Sequence, residues 1–224
     1  ENNLGLIQNA AINHHRYAKF IYKLDEDIFI TKNYFANLLE AYKRAQQGLY
    51  NPGIIAPLLN VNCFTSLRIL DIFNRTAEFE QLFGKPKYYF DLDYFLYKNP
   101  DVAKFFWGEG HYLPSIDKMN DIVSEMPKRE IACAIRFSIG AILFERKLWT
   151  EMGFFDIYNY EEYWAKDEIQ FIIFCILHSK PIMVSENIVV GHLSYHPQKK
   201  VMKNYYMSHK EIFSLPKANK WIHL

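Results

Sequence analysis

The chain of 224 residues contains few glycines and few cysteines, and it lacks the short motifs of several large enzyme classes. Its nine glycines form neither GxGxxG nor a GKS/T loop, and GxSxG, HExxH and CxxC are also missing. These absences argue against Rossmann dehydrogenases, P-loop nucleotidases, α/β-hydrolases, zinc proteases and thiol redox enzymes. The three cysteines are far apart and have apolar neighbours, so we expect reduced, buried thiols rather than a disulfide framework.

Long apolar runs and an excess of one charge are missing too. The longest apolar run, Ile169 to Leu177, is about half of the roughly 20 residues that a membrane span needs. The N-terminal segment lacks the basic and apolar regions of a signal peptide. Lys and Arg number 26 against 25 Asp and Glu, which gives no reason to expect a nucleic acid partner. We therefore expect a cytoplasmic protein, and peripheral attachment to the inner face of a membrane is compatible with this.

What the chain does have is an alternation of strand and helix patterns. The aromatic and β-branched segment Tyr17 to Leu24 predicts a buried strand. Apolar residues at helical spacing predict a helix over Asn33 to Gln47, capped by Asn33 and closed by Gly48. The run "IIAPLL" after the "NPG" turn predicts a second buried strand. Strand, helix and strand in this order are typical of an α/β fold.

The rest of the chain continues this pattern after an interruption. Residues 60 to 130 have a less regular hydrophobic pattern and are rich in aromatic residues. We interpret them as a helical or irregular insert. The segment "IACAIRFSIGAILFERKLW" predicts a strand pair, or a strand and the start of a helix. An apolar stripe from Ile169 to Leu177 predicts a helix that begins at Asp167, and "PIMVSENIVVGHLSYH" predicts a closing strand. We expect a single domain over residues 1–224 with an insert at about 60–130.

Three acids in a row, Asp25-Glu26-Asp27, follow directly after the first predicted strand. Open α/β sheets bind ligands beyond the carboxyl ends of their strands, and Mg²⁺ is commonly shared between carboxylates and substrate phosphates. The triplet therefore suits a nucleotide-diphosphate site, although a solvated turn would have the same composition. The pair Asp91 and Asp93 does not follow a clear strand in this way, and we interpret it as a helix start or a polar face of the insert.

A second acidic pair and a histidine complete the candidates. Asp167 and Glu168 stand at the start of a predicted helix, where they could simply cap it. Neighbouring carboxylates also raise each other's pKa, so that one of them could act as a general base toward a hydroxyl group. His192 lies near the end of the closing strand. It is either an ordinary core histidine or a metal ligand beside carboxylates.

Taken in order, these segments resemble family 2 glycosyltransferases of the GT-A fold. "NNLGLIQNAAI" is similar to the segment that leads into the metal-binding strand, and Asp25-Glu26-Asp27 matches the DxD motif. "IGAILFERKLWTEMGFFD" is similar to the segment that ends in a GGFD-like turn. "KDEIQF" lies where the family has its acidic catalytic pair, and "NIVVGH" where a strand ends in a metal-binding histidine. The similar segments cover about half of the chain, and the insert matches none of the family's segments.

The resemblance implies a mixed sheet flanked by helices and a role for each candidate residue. Asp25 and Lys23 would face the donor nucleotide, while Asp25, Asp27 and His192 would hold Mn²⁺ or Mg²⁺. Glu168 would occupy the usual base position beside Asp167. The family more often has Glu-Asp where this chain has Asp-Glu, so either acid could be the base. The family's first strands would lie upstream of residue 1, and we therefore expect an N-terminally truncated domain.

The function implied is the transfer of a sugar from a nucleotide-diphosphate donor to a hydroxyl group, with inversion. The acceptor would be a glycan or a lipid-linked molecule, as in bacterial polysaccharide synthesis. Tyr88, Tyr89, Phe90 and Trp107 of the insert would offer apolar faces to it, unless they form a small aromatic core. Two alternatives remain open: a non-catalytic binding module with a transferase fold, and a metal-dependent phosphohydrolase.

Overall fold

The computed structural model describes residues 4–89, 94–157 and 166–213. In these ranges the chain has a mixed α/β fold whose strands form a six-stranded open sheet. The strands are β1 (Phe20–Leu24), β2 (Ile28–Phe29), β3 (Ile54–Leu59), β4 (Glu130–Cys133), β5 (Ala141–Glu145) and β6 (Ile182–His192). Their order is β1-β5-β3-β6-β2, and β4 also pairs with β6.

Helices occupy much of the remaining chain. None of them, within the described ranges, combines the length and the hydropathy that a membrane crossing requires. The α-helices are α1 (Leu4–His14), α2 (Tyr34–Gln46), α3 (Thr65–Ile72), α4 (Thr76–Phe83), α5 (Phe95–Lys98), α6 (Pro100–Phe106), α7 (Ile116–Ser124), α8 (Arg146–Glu151), α9 (Lys166–Leu177), α10 (Lys199–Ser208) and α11 (Lys210–Phe213).

The chain divides into two compact units. Of the described residues, the first unit contains 4–26, 33–58, 127–157 and 166–188. The second unit contains 27–32, 59–89, 94–126 and 189–213. Most of the segment that the sequence marks as an insert therefore lies in the second unit, where it forms α3 to α7.

In the first unit, β5 pairs antiparallel with β1 on one side and with β3 on the other. The side chain of Trp149 in α8 is 2% exposed, and its indole N–H donates to the Oδ1 atom of Asn9 in α1 at 2.9 Å. The same Asn9 oxygen accepts from the backbone N–H of Phe155 at 3.0 Å. Because a buried indole N–H needs an acceptor, Asn9 ties the first helix to the core of this unit.

In the second unit, β2 pairs antiparallel with the end of β6, with Ile28 opposite His192 and Phe29 opposite Gly191. Trp107 is buried beside this pairing, and its indole N–H donates to the carbonyl oxygen of Leu193 at 3.1 Å. A Cβ atom at position 191 would lie 2.3 Å from the Trp107 ring. Glycine is required at this position because any side chain would collide with the indole.

The α/β class predicted from the sequence is confirmed, whereas the GT-A assignment stays a prediction. The helix over residues 34–46, the strand IIAPLL and the closing strand are present at the expected positions. Two details of the sequence interpretation are wrong. The first strand is only partly buried, and Asn33 makes no side-chain cap because its backbone is left-handed, with φ 60°.

Candidate functional site

The acidic triplet follows β1 directly. The N–H of Asp25 donates to the carbonyl oxygen of Gly140 at 2.8 Å, which continues the pairing of β1 with β5 by one residue. The Asp25 carboxylate lies 2.6 Å from the Nζ atom of Lys23 and is 38% exposed. Asp25 and Glu26 belong to the first unit, and Asp27 belongs to the second.

Lys23 links Asp25 to one acid of the second pair. Its Nζ atom lies 3.7 Å from the Oδ2 atom of Asp167 and also donates to the carbonyl oxygen of Ile139 at 3.2 Å. The side chains of Lys23 and Asp167 are 12% and 10% exposed. The amide of Gln8 in α1 donates to the same Asp167 oxygen at 3.2 Å. One mostly buried ammonium group thus lies between two carboxylates, of which Asp167 is mostly buried and Asp25 is partly exposed.

Glu168 is the more deeply buried acid of the second pair. Its side chain is 7% exposed, and its Oε1 atom lies 2.5 Å from the Nε atom of Arg136. Burial raises the pKa of Glu168 above its ordinary value, and the Arg136 ion pair opposes this rise without cancelling it. The carboxylate of Asp167 adds a smaller upward push on the same pKa. A carboxylate with a raised pKa is a better proton acceptor, as general base catalysis requires.

Asp27 and His192 meet within the second unit. The backbone oxygen of Asp27 accepts from the N–H of Leu193 at 3.0 Å, next to the Ile28–His192 pair of β2 and β6. This register brings the Asp27 Oδ1 atom to 3.7 Å from the Nε2 atom of His192. The two side chains are 17% and 9% exposed. Two residues that are far apart in the sequence are therefore neighbours at one end of the closing strand.

The ring of His192 is held from its other side. Its Nδ1 atom lies 2.7 Å from the carbonyl oxygen of Val61. Because a carbonyl can only accept, Nδ1 carries the proton, and the lone pair of the neutral ring is left on Nε2, which lies toward Asp27. The backbone N–H of His192 donates to the Oδ1 atom of Asn60 at 2.7 Å. A metal-binding histidine usually has this arrangement, with its second nitrogen bound to a carbonyl or carboxylate.

The donor chemistry of Asp27 and His192 fits Mn²⁺ or Mg²⁺, with Mn²⁺ favoured by the imidazole. Within residues 4–89, 94–157 and 166–213, no group of three or more His, Cys, Asp or Glu side chains is close enough to hold an ion. Asp25 is paired with Lys23. An ion at Asp27 and His192 would thus take its remaining ligands from water or from a substrate, as Mg²⁺ sites commonly do.

The candidate residues of the insert differ in how far their side chains are exposed. Trp107 is 2% exposed and cannot offer a face to a ligand, whereas Tyr88 and Tyr89 are each 47% exposed. Phe90 and the acids Asp91 and Asp93 lie outside the described residues.

Sequence reasoning missed the residues that hold the candidate groups in place. Arg136 pairs with Glu168, Gln8 donates to Asp167, and the Oδ1 atom of Asn60 accepts from the backbone N–H of His192. None of the three lies in a recognisable motif. The one available signal is for Asn60, because it directly follows a fully buried strand, where a ligand-facing or turn-forming side chain is common.

No family model, no curated protein and no solved structure that we compared with the chain matches it.

Proposed function

We propose that this chain is a GT-A-type glycosyltransferase domain that transfers a sugar from a nucleotide-diphosphate donor to a hydroxyl group. The acceptor would be a glycan or a lipid-linked molecule, and the product would have inverted anomeric configuration. The observation that best supports this proposal is the 3.7 Å distance between the Nε2 atom of His192 and the Asp27 carboxylate, while Nδ1 is hydrogen-bonded to the Val61 carbonyl. A histidine with its free nitrogen beside a carboxylate is equipped to hold a divalent cation.

In this proposal, Asp27 and His192 hold Mn²⁺ or Mg²⁺ and Asp25 faces the donor nucleotide. When bound, the cation acts as a Lewis acid that stabilises negative charge on the departing diphosphate. Lys23 lies within 3.7 Å of both Asp25 and Asp167 and keeps the two carboxylates from repelling each other. Its role would be to hold Asp25 in the orientation that meets the donor.

Glu168 is the better candidate for the base. It would take the proton of the acceptor hydroxyl while that oxygen bonds to the anomeric carbon, and the bond from that carbon to the diphosphate breaks. Both oxygens of Asp167 already accept hydrogen bonds, Oδ1 from the N–H of Glu168 at 2.9 Å and Oδ2 from Gln8. We therefore assign Asp167 a positioning role and Glu168 the proton transfer.

Calorimetric titration of the chain with UDP-, GDP- and dTDP-sugars, with and without Mn²⁺, tests the donor site. We expect one nucleotide class to bind only with Mn²⁺. This binding should be lost in Asp27→Ala and in His192→Gln. Glu40→Gln serves as the control because Glu40 is an exposed acid of α2 whose partner is Lys43. Binding that is indifferent to Mn²⁺ and survives both variants would refute the metal site.

A non-catalytic binding module is the second candidate function. It is favoured by the ion pairs that already engage Asp25 and Glu168, with Lys23 and Arg136 as their partners. The two candidates differ in turnover. A transferase should release nucleoside diphosphate from its donor and lose this activity in Glu168→Gln while keeping Mn²⁺ binding. A binding module should bind the donor without any release.

A further inference from the structure

A groove in the second unit is lined by none of the proposed metal, donor or base residues, although Trp107 forms part of its wall. Its volume is about 760 Å³, within the range of about 300–1,000 Å³ that is typical of small-molecule sites. It is formed by the loop between α6 and α7, the residue before α4, and the helices α10 and α11. Its polar and aromatic lining includes Arg75, Glu109, Tyr112, Asp117, Tyr205 and Glu211.

The loop that forms one wall has a defined shape. Gly108, Gly110 and His111 have positive φ angles of 91°, 74° and 60°. A Cβ atom on Gly110 would lie 2.7 Å from the ring of Tyr112, so this glycine packs directly against the tyrosine. Glycine adopts positive φ at little steric cost, so the strain in this wall lies at His111, and such strain often occurs where a loop presents side chains to a ligand.

Tyr112 is the aromatic surface of the groove. Its ring is stacked on the buried ring of Phe105, with centroids 5.3 Å apart and planes 21° from parallel. The residue is still 36% exposed. Its backbone oxygen accepts a hydrogen bond from the Nε atom of Arg75 at 2.7 Å, which fixes the backbone at Tyr112. The tyrosine is therefore held in place before any ligand arrives.

The lining of the groove is mixed in charge but mainly acidic, and Lys104 beside it pairs with Asp101 at 2.8 Å. Glu109, Asp117 and Glu211 contribute three carboxylates. Arg75 contributes a guanidinium that also pairs with Glu78 at 2.8 Å, and the Nζ atom of Lys104 lies 5.6 Å above the ring of Tyr205. Three acids oppose an anionic ligand. In the described part of the chain no such acids cluster closely enough to hold a metal ion.

An open groove with an aromatic surface and several carboxylates that can accept hydrogen bonds suits a neutral polyhydroxylated ligand. The apolar C–H face of a sugar ring packs on an aromatic ring, and its neighbouring hydroxyls donate to carboxylates and accept from guanidinium groups. We propose that this groove binds a neutral saccharide of two or three units, chiefly through Tyr112, Asp117 and Glu109. The binding is separate from the metal and nucleotide chemistry of the proposed transferase site.

The test is ligand-observed NMR followed by titration of the whole chain with maltotriose, cellotriose and chitotriose. The titrations are run in EDTA and without nucleotide, so that failure of the transferase site cannot affect the result. At least one trisaccharide should bind at millimolar concentration or tighter. Tyr112→Ala and Asp117→Asn should each weaken it about tenfold or more, because each removes a stacking surface or a charged hydrogen-bond acceptor.

Two matched controls separate the groove from the general surface. Asp121→Asn changes an acid one turn further along α7, and Tyr17→Ala removes a tyrosine of the first unit that is 87% exposed. Both should leave saccharide affinity unchanged. If Tyr112→Ala lowers the melting temperature, Glu109→Gln tests the groove instead, because Glu109 lies at an exposed loop position. This variant should also weaken binding. Absence of binding for all three trisaccharides, or binding unchanged in Tyr112→Ala, Asp117→Asn and Glu109→Gln, would overturn the proposal.

Discussion

The Nε atom of Arg136 lies 2.5 Å from the Oε1 atom of Glu168, and this contact opposes the effect of burial on the Glu168 carboxyl group. Burial raises the pKa of Glu168, while the neighbouring guanidinium lowers it, and the rise is the larger of the two. The balance between these effects decides how much of the carboxyl is ionised at a given pH, and so whether it can serve as a base.

Removal of the guanidinium should move this balance. In Arg136→Gln the pKa of Glu168 should rise further, because burial and the nearby Asp167 would then be opposed only by the weaker backbone hydrogen bond at Ile139. Titration of ¹³C-labelled glutamate carboxyl groups by NMR measures this directly. If the chain shows transferase activity, the acidic limb of its pH–rate profile should shift upward in the same variant.

Arg129→Gln is the matched control for this experiment. Arg129 is a more exposed arginine of the first unit that pairs with Glu186 at 3.4 Å. Its removal should leave the Glu168 titration unchanged. An unchanged titration in Arg136→Gln would show that the ion pair does not form in solution.

The raised pKa of Glu168 also predicts how stability depends on pH. A carboxyl group whose pKa is higher in the folded state binds protons more tightly there than in the unfolded chain. Its stabilising contribution is full below the ordinary glutamate value of 4.5 and is lost as pH rises through the higher folded-state pKa. Glu168→Gln cannot titrate. Its stability relative to the parent chain should therefore improve steadily as pH rises through this window.

Urea unfolding of both proteins at several pH values from 4 upward, about half a unit apart, measures this difference. Glu125→Gln, at an exposed position after α7, is a suitable control and should show no such trend. A stability difference that falls as pH rises would mean that the Arg136 ion pair outweighs burial.

Asn60 should be important for stability because its Oδ1 atom serves two buried backbone donors. It accepts from the N–H of His192 at 2.7 Å and from the N–H of Val61 at 2.9 Å. In Asn60→Ala both donors lose their acceptor in the core, which should cost about 2 kcal/mol or more. Urea unfolding gives the value. Asn204→Ala, on the exposed side of α10, should change stability by only about 0.5 kcal/mol or less.

Opposite faces of α9 should respond very differently to truncation. Phe171 is fully buried and meets Phe144 with ring centroids 4.9 Å apart, so Phe171→Ala should cost about 3–5 kcal/mol. Ile176 is 72% exposed, and Ile176→Ala should change stability by about 0.5 kcal/mol or less. Thermal and urea unfolding of the two variants test this. Similar losses in both would mean that the exposed face is covered in solution.

The same helix shows where sequence reasoning succeeds and where it ends. The apolar spacing from Ile169 to Leu177 correctly predicted a helix, but it did not predict the buried face. That face consists of Glu168, Phe171 and Cys175, while Ile173 and Ile176 are exposed. Because this helix is apolar on nearly every side, its periodicity cannot distinguish the side that packs on the sheet.

The candidate site, too, could be predicted only in part from the sequence. Placement of the acids after a strand follows from local pattern, and the structure has Asp25 directly after β1. The approach of His192 to Asp27 depends on the pairing of β2 with β6, for which only the resemblance to a family gave a hint. Lys23 and Asp167, and likewise Arg136 and Glu168, are brought together by long-range packing that leaves no spacing signal in the sequence.

Among the described residues, each unit has a deeply buried indole, Trp149 in the first and Trp107 in the second, and each indole N–H donates a hydrogen bond to an oxygen of its own unit. The chain has four tryptophans in all, so replacing the other two with phenylalanine would leave one tryptophan per unit. A further Trp→Phe change at either ring then isolates the emission of its counterpart. Denaturation of each single-tryptophan variant, followed by its fluorescence emission, would show whether the two units unfold together or in sequence.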